Sequence, residues 1–168
     1  QVGKTTLLKK LMTEFKKPLY LAGDDPKSAA LLEGKSAGEL MSLLSSYDLV
    51  IIDEAQKVQD IGTVLKLIAD NLPNAKVVAS GSSSFELANK LSEPLTGRNR
   101  KYYLYPLSVP ELVDAFGRVK VEQEITTNML FGGYPQIVTA ESNEEKKRLL
   151  QELVGDYLFK DLFLFGDI

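Results

Sequence analysis

The sequence predicts an α/β fold built on a mostly parallel sheet, and three observations predict it. Short aliphatic runs alternate along the chain with runs whose apolar residues recur at helical spacing. One aliphatic run, DLVIIDE (Asp48 to Glu54), sets four apolar residues in a row and closes on two carboxylates. That is the pattern of a central parallel strand whose C-terminal edge meets a site. The third observation is Gly3-Lys4-Thr5-Thr6 at the head of the first amphipathic helix, where backbone amides point out of the helix and attract anions.

The elements follow in order. Lys4 to Lys16 places Leu7, Leu8, Leu11, Met12 and Phe15 at helical spacing, and Pro18 ends that helix. PLYLAG (Pro18 to Gly23) is short, aliphatic and followed by Asp24-Asp25-Pro26, as expected of a buried strand ending in a turn. Helical segments are expected over Pro26 to Glu33 and Ala37 to Ser46, then the strand Asp48 to Glu54. Val58 to Leu72 carries Val58, Ile61, Val64, Leu65, Ile68 and Leu72 on one helical face. KVVAS (Lys76 to Ser80) reads as a strand, Gly81-Ser82-Ser83-Ser84 as a polar turn, Phe85 to Leu91 as a short helix, and KYYLYPL (Lys101 to Leu107) as a further strand ended by Pro106. Beyond Val109 the pattern is helical only, over Val109 to Phe116, Val121 to Leu130 and Glu144 to Phe165, with Gly132-Gly133-Tyr134-Pro135 as punctuation. The change of composition near Pro106 to Pro110 divides residues 1–107, an α/β core, from residues 108–168, a helical appendage.

Composition narrows the chemistry. The chain has 168 residues, 44% hydrophobic and 26% charged, with Lys plus Arg 20 against Asp plus Glu 23 for a net charge of −3. Such a chain buries a sizeable core and is neither a disordered tail nor a generally basic nucleic-acid binder. It contains no Cys and no His, which removes thiol nucleophiles, Ser-His-Asp triads, disulfides and Cys/His zinc sites together. Catalysis is left to carboxylates, Lys, Arg, hydroxyls and backbone amides. The absence of Cys fits a cytoplasmic protein, no apolar run approaches the length needed to cross a bilayer, and QVGKTTLLKK is not a signal peptide. The chain opens at Gln1 instead of Met, so it is expected to be a fragment of something longer.

Two motifs carry the functional reading. A phosphate-binding loop needs a glycine for close backbone approach, a Lys that reaches the β and γ phosphates, and a hydroxyl for Mg²⁺, all at a helix start. Gly3-Lys4-Thr5-Thr6 supplies that end of the motif, and its first glycine would lie upstream of Gln1. DLVIIDE, about 50 residues later, supplies the second part: an Asp to hold the Mg²⁺ shell and a Glu to orient and activate the attacking water. Taken singly, the first motif also describes a helix start with a surface Lys, and the second a strand leaving the core through two solvated carboxylates. Their order on an alternating α/β pattern favours a nucleotide site.

QVGKTTL (Gln1 to Leu7), VIIDEAQ (Val50 to Gln56), ASGSSSF (Ala79 to Phe85), LTGR (Leu95 to Arg98) and YPLSVPEL (Tyr105 to Leu112) occur in an order that resembles the AAA-type ATPase domain of prokaryotic AAA+ superfamily predicted ATPases, P-loop NTPases in which a C-terminal region follows. FGGYP (Phe131 to Pro135) and DYLFKDLF (Asp156 to Phe163) extend the likeness. The resemblance implies a P-loop sheet whose first strand is missing from this chain, followed by a helical lid over residues 108–168 and the start of the C-terminal region. It implies ATP and Mg²⁺ as ligands, with Gly3, Lys4, Thr5 and Thr6 on phosphate, Thr5 and Asp53 on Mg²⁺, and Glu54 as catalytic base. Ser82 would be a polar sensor of the γ-phosphate, or alternatively a cap of the next helix with Ser83 or Ser84. Arg98 would be an arginine finger acting in a neighbouring copy, or a surface cation beside Arg100 and Lys101. Gly132, Gly133 and Pro135 resemble the element that packs a lid against the nucleotide base, and equally a helix end with a proline restart. Self-association is implied by the finger, with a protein or nucleic-acid client left open and no membrane partner. The rival reading is a nucleotide-dependent switch or scaffold with little or no hydrolysis.

The finger assignment has a direct test. Arg98→Ala is expected to lower ATP hydrolysis while sparing ATP binding, and mixing it with a Lys4→Ala partner is expected to restore part of the activity, because each mutant keeps what the other lacks. Failure of complementation between two folded mutants would assign Arg98 to the surface.

Overall fold

A computed structural model describes residues 2–81, 95 and 99–164. The expected helix Phe85 to Leu91, Ser82 and Arg98 lie outside the described residues. The chain divides into two compact units, Lys4–Tyr102 and Tyr103–Ile168 with Gln1–Gly3.

The first unit runs α1 (Lys4–Met12), β1 (Pro18–Ala22), α2 (Pro26–Ala30), α3 (Ala37–Leu44), β2 (Leu49–Asp53), a 3₁₀ turn (Ala55–Lys57), α4 (Ile61–Asn71) and β3 (Lys76–Ala79). The strands form a parallel sheet in the order β1-β2-β3. All five residues of β2 are buried, as a central strand with helices on both faces requires. Side chains alternate along it. Val50 and Ile52 enter a large core with Leu40 and Leu44 of α3 and Ile61, Leu65 and Ile68 of α4. Leu49 and Ile51 enter a smaller one with Leu8 of α1, against which Leu11, Met12, Phe15 and Tyr20 pack. The sheet is thus covered by α1 on one face and by α3 and α4 on the other.

Local chemistry sets the element ends. α1 stops at Met12, short of the expected Lys16, because the amides of Thr13, Glu14 and Phe15 turn to carbonyls three residues back and the Thr13 hydroxyl donates to the Lys10 carbonyl at 2.8 Å. The amides of Lys16 and Lys17 then donate to the Asp48 carboxylate, each at 3.0 Å, which aligns the start of β1 with the start of β2. Ser36 and Glu39 form a reciprocal capping box at the head of α3. The expected helix from Val58 begins only at Ile61, because the chain first makes its 3₁₀ turn and passes Asp60 at a φ of 49°.

The second unit is helical: α5 (Val109–Phe116), α6 (Arg118–Gln123), α7 (Ile125–Phe131), α8 (Pro135–Thr139) and α9 (Asn143–Leu164). The single helix expected over Val121 to Leu130 is two, broken at Glu124, and α8 starts on the proline of the Gly-Gly-Tyr-Pro punctuation.

The strand expected over Lys101 to Leu107 does not form: no residue of that segment is in a strand. Tyr102, Tyr103 and Tyr105 are 83%, 66% and 74% exposed, and the Leu107 amide donates instead to the Gly133 carbonyl at 2.7 Å. Alternating tyrosines express β-propensity, but a strand also needs a ladder partner, and none of the described strands pairs with this segment.

Candidate functional site

The site is built where β1 and β2 end. Register pairs Tyr20 with Ile51 and Ala22 with Asp53. With a side-chain period of two, Tyr20, Ile51 and Asp53 all face the side of the sheet that α1 covers. Thr5 lies three residues before Leu8, on the same side of α1, so the first helical turn is held over the end of β2.

Asp53 is the centre of the arrangement, only 3% exposed. Its Oδ2 accepts hydrogen bonds from the Thr5 hydroxyl and the Tyr20 hydroxyl, each at 2.6 Å. Its Oδ1 accepts from the Ser80 hydroxyl and from the Glu54 amide, the latter at 3.1 Å. Burial alone would raise the carboxyl's pKa, but the donors from Ser80, Thr5, Tyr20 and Glu54 outweigh it and hold Asp53 below the ordinary carboxylate range. The same contact acts oppositely on Tyr20, whose phenol is pushed up to about 12 by burial and by its bond to the Asp53 charge.

Glu54 follows in a left-handed conformation, φ 49° and ψ 43°, rare for a residue with a side chain and a feature that concentrates at functional positions. Its carboxylate accepts a hydrogen bond from the side-chain amide of buried Gln56 at 2.6 Å. Gly23 is the residue that lets β1 close on this turn. Its amide donates to the Asp53 carbonyl at 2.7 Å, and a Cβ there would lie 2.5 Å from the Glu54 carbonyl oxygen. On the other side the Ala55 amide donates to the Ser80 carbonyl at 2.8 Å, tying the turn to the end of β3.

Of the residues singled out in the sequence, Thr5, Asp53 and Glu54 come together here. Lys4 opens α1 beside Thr5, and Thr6 follows, exposed in the first turn. Gly3 and Pro135 belong to the other unit and approach each other there, a Cβ on Gly3 lying 3.8 Å from the Pro135 ring; Gly3 itself has a φ of +92°. Sequence reading missed Tyr20 and Ser80. Tyr20 was legible only as one polar-tipped residue in the aliphatic run PLYLAG, and Ser80 as the last residue of KVVAS, two positions before Ser82.

A family model described as an AAA domain matches residues 1–113. Two mycobacterial proteins, from Mycobacterium tuberculosis and Mycobacterium bovis, both described as uncharacterized, are 30% identical over 99% of this chain and 35% of their own length. An uncharacterized protein of Methanocaldococcus jannaschii is 24% identical over 95% of this chain and 39% of its own. The chain therefore spans little more than a third of the relatives it matches. No solved structure matches it.

The ionisations make a stability prediction. Asp53 has a lower pKa folded than unfolded, so its contribution is fully present above the unfolded value of about 3.9 and is lost as pH falls through the folded value. Tyr20 is raised, so its contribution is present below about pH 10 and is lost as pH rises through about 12. In urea unfolding, the stability advantage of the wild type over Asp53→Asn is expected to hold at neutral pH and to shrink below about pH 4. An advantage that stays constant into acid would show that ionised Asp53 is not what the four donors stabilise.

Proposed function

The chain belongs to the AAA domain family, and on that premise we propose that it binds ATP with Mg²⁺ and hydrolyses it by attack of water. The observation that carries the proposal is the 2.6 Å hydrogen bond from Thr5 to Asp53. A threonine hydroxyl has one proton and two lone pairs, and giving the proton to Asp53 leaves the lone pairs for a cation.

The residues fit Mg²⁺ on their chemistry. They are hard oxygen donors, and no group of three or more acidic residues among the described residues forms a cage of its own. Mg²⁺ is typically held by one or two protein groups together with substrate phosphates and water, and would supply charge neutralisation on the transferred phosphoryl group. Thr5 would ligate it directly and Asp53 through its water shell. Lys4 and the amides opening α1, with Gly3 and Thr6, would receive the β and γ phosphates. Glu54 would orient the attacking water and take its proton as oxygen bonds to the γ-phosphorus and the bond to the leaving ADP breaks. Ser82 as sensor, Arg98 as finger in a self-associated neighbour, and Pro135 beside Gly3 as part of a lid complete the proposed machinery, set in the cytoplasm. The binding partner of the whole protein, a protein or a nucleic acid, would be engaged by parts beyond this domain. No helix among the described residues is long and apolar enough to cross a membrane.

One observation favours the switch reading: the Glu54 carboxylate is engaged by Gln56, and must turn from it to reach a water. Glu54→Gln separates the two readings. As a general base, Glu54 is expected to be worth about 10²- to 10⁴-fold in turnover with ATP affinity nearly unchanged. Turnover unaffected by the substitution would remove Glu54 from the chemistry, and a wild type that binds ATP without measurable turnover would establish the switch.

A further inference from the structure

Asp53 has its acceptor positions filled. An ionised carboxylate offers about four over its two oxygens. Ser80 and the Glu54 amide take those of Oδ1, and Thr5 and Tyr20 those of Oδ2. A cation on the Thr5 oxygen brings its own water ligands, and the carboxylate oxygen nearest it is Oδ2, which Thr5 already touches. A cation-bound water that donates to Oδ2 must therefore displace a donor. Thr5 is the cation's direct ligand and stays. The Glu54 amide belongs to the main chain and Ser80 serves the other oxygen. That leaves Tyr20, whose half-buried ring packs against the core of Leu8, Leu49 and Ile51 while its hydroxyl reaches Oδ2 from the end of a flexible side-chain torsion.

We infer that the Tyr20 hydroxyl holds the position on Asp53 Oδ2 that a water of the Mg²⁺ shell takes when Mg²⁺ and nucleotide bind. Tyr20 is then a positioning residue that keeps the carboxylate aimed and satisfied until the cation arrives, and yields to it. The inference rests on the ATP and Mg²⁺ reading above. It has an unusual thermodynamic consequence: the Tyr20 bond stabilises the protein without Mg²⁺ and nucleotide but opposes their binding, since the bond must break first.

Tyr20→Phe keeps the ring and removes the hydroxyl. In the full chain, with a non-hydrolysable ATP analogue, the Mg²⁺ concentration that half-saturates binding is expected to fall about tenfold, the scale of one hydrogen bond to a charged group. Analogue affinity in EDTA is expected to be unchanged. The melting temperature of Tyr20→Phe is expected to lie below wild type without ligand and to meet it at saturating Mg²⁺ and analogue. An equal drop under both conditions, or an unchanged or higher Mg²⁺ requirement, would overturn the inference while leaving the ATP reading intact. A wild type that does not bind the analogue with Mg²⁺ would overturn both. Should Tyr20→Phe not fold, the ring ¹³C resonance of Tyr20 in the wild type decides: it is expected to shift as the hydroxyl leaves Asp53 on adding Mg²⁺ and analogue, and a resonance that does not move refutes the exchange.

Discussion

A carboxylate that is only 3% exposed, as Asp53 is, loses several kcal/mol of hydration unless protein donors replace the water. Here the replacements come from Thr5 at the head of α1, Tyr20 in β1, Ser80 just past β3 and the amide of Glu54. Satisfying one charge thereby ties together the C-terminal ends of the sheet and the start of the helix above it. Elsewhere in this unit the packing is mostly aliphatic and tolerant of similar volumes. The polar cluster is not tolerant in that way, because removing any one donor leaves charge in a dry place.

The parallel sheet makes this convergence possible. In a parallel ladder the strands end on the same side, and the register of β1 on β2 brings Ala22 opposite Asp53 and Tyr20 one step back on the same face. The chain then turns sharply. Glu54 in the left-handed region and Gly23, with no room for a Cβ, let two strand ends meet closely enough for the Gly23 amide to reach the Asp53 carbonyl. The turn also separates the two acids. Asp53 points into the cluster and is fully engaged, whereas Glu54 stands outside it with Gln56 as partner. Two adjacent carboxylates are thus given different environments, the arrangement expected where one holds a cation shell and the other handles a proton.

Much of this was legible from residue pattern. DLVIIDE was readable as a buried strand closing on two acids, because four aliphatic residues in a row suit a strand covered on both faces, and the Thr5 hydroxyl and Asp53 carboxylate that the two motifs singled out are joined by a 2.6 Å hydrogen bond. Other features depended on tertiary context. Tyr20 looks like any strand aromatic until register aims its hydroxyl at Asp53. Ser80 reads as the end of a strand, and only the crossing from β2 to β3 brings it to the carboxylate. KYYLYPL has the composition of a strand, yet Leu107 bonds to Gly133 and the tyrosines stand in solvent, because pairing and not propensity decides the outcome. The early ends of α1 and the late start of α4 were set by Thr13, Asp48 and the Glu54 turn, which hydrophobic periodicity does not register.

The central claim is that the Thr5–Asp53 pair forms one half of a metal–nucleotide site. The most direct measurement is a crystal structure of the full chain with Mn²⁺ in place of Mg²⁺ and a non-hydrolysable ATP analogue, locating the metal by its anomalous signal. The account predicts one peak within about 2.0–2.3 Å of the Thr5 hydroxyl oxygen, with Asp53 reached through a metal-bound water and the phosphates lying over the start of α1. A metal and nucleotide bound away from Thr5 and Asp53 would contradict it.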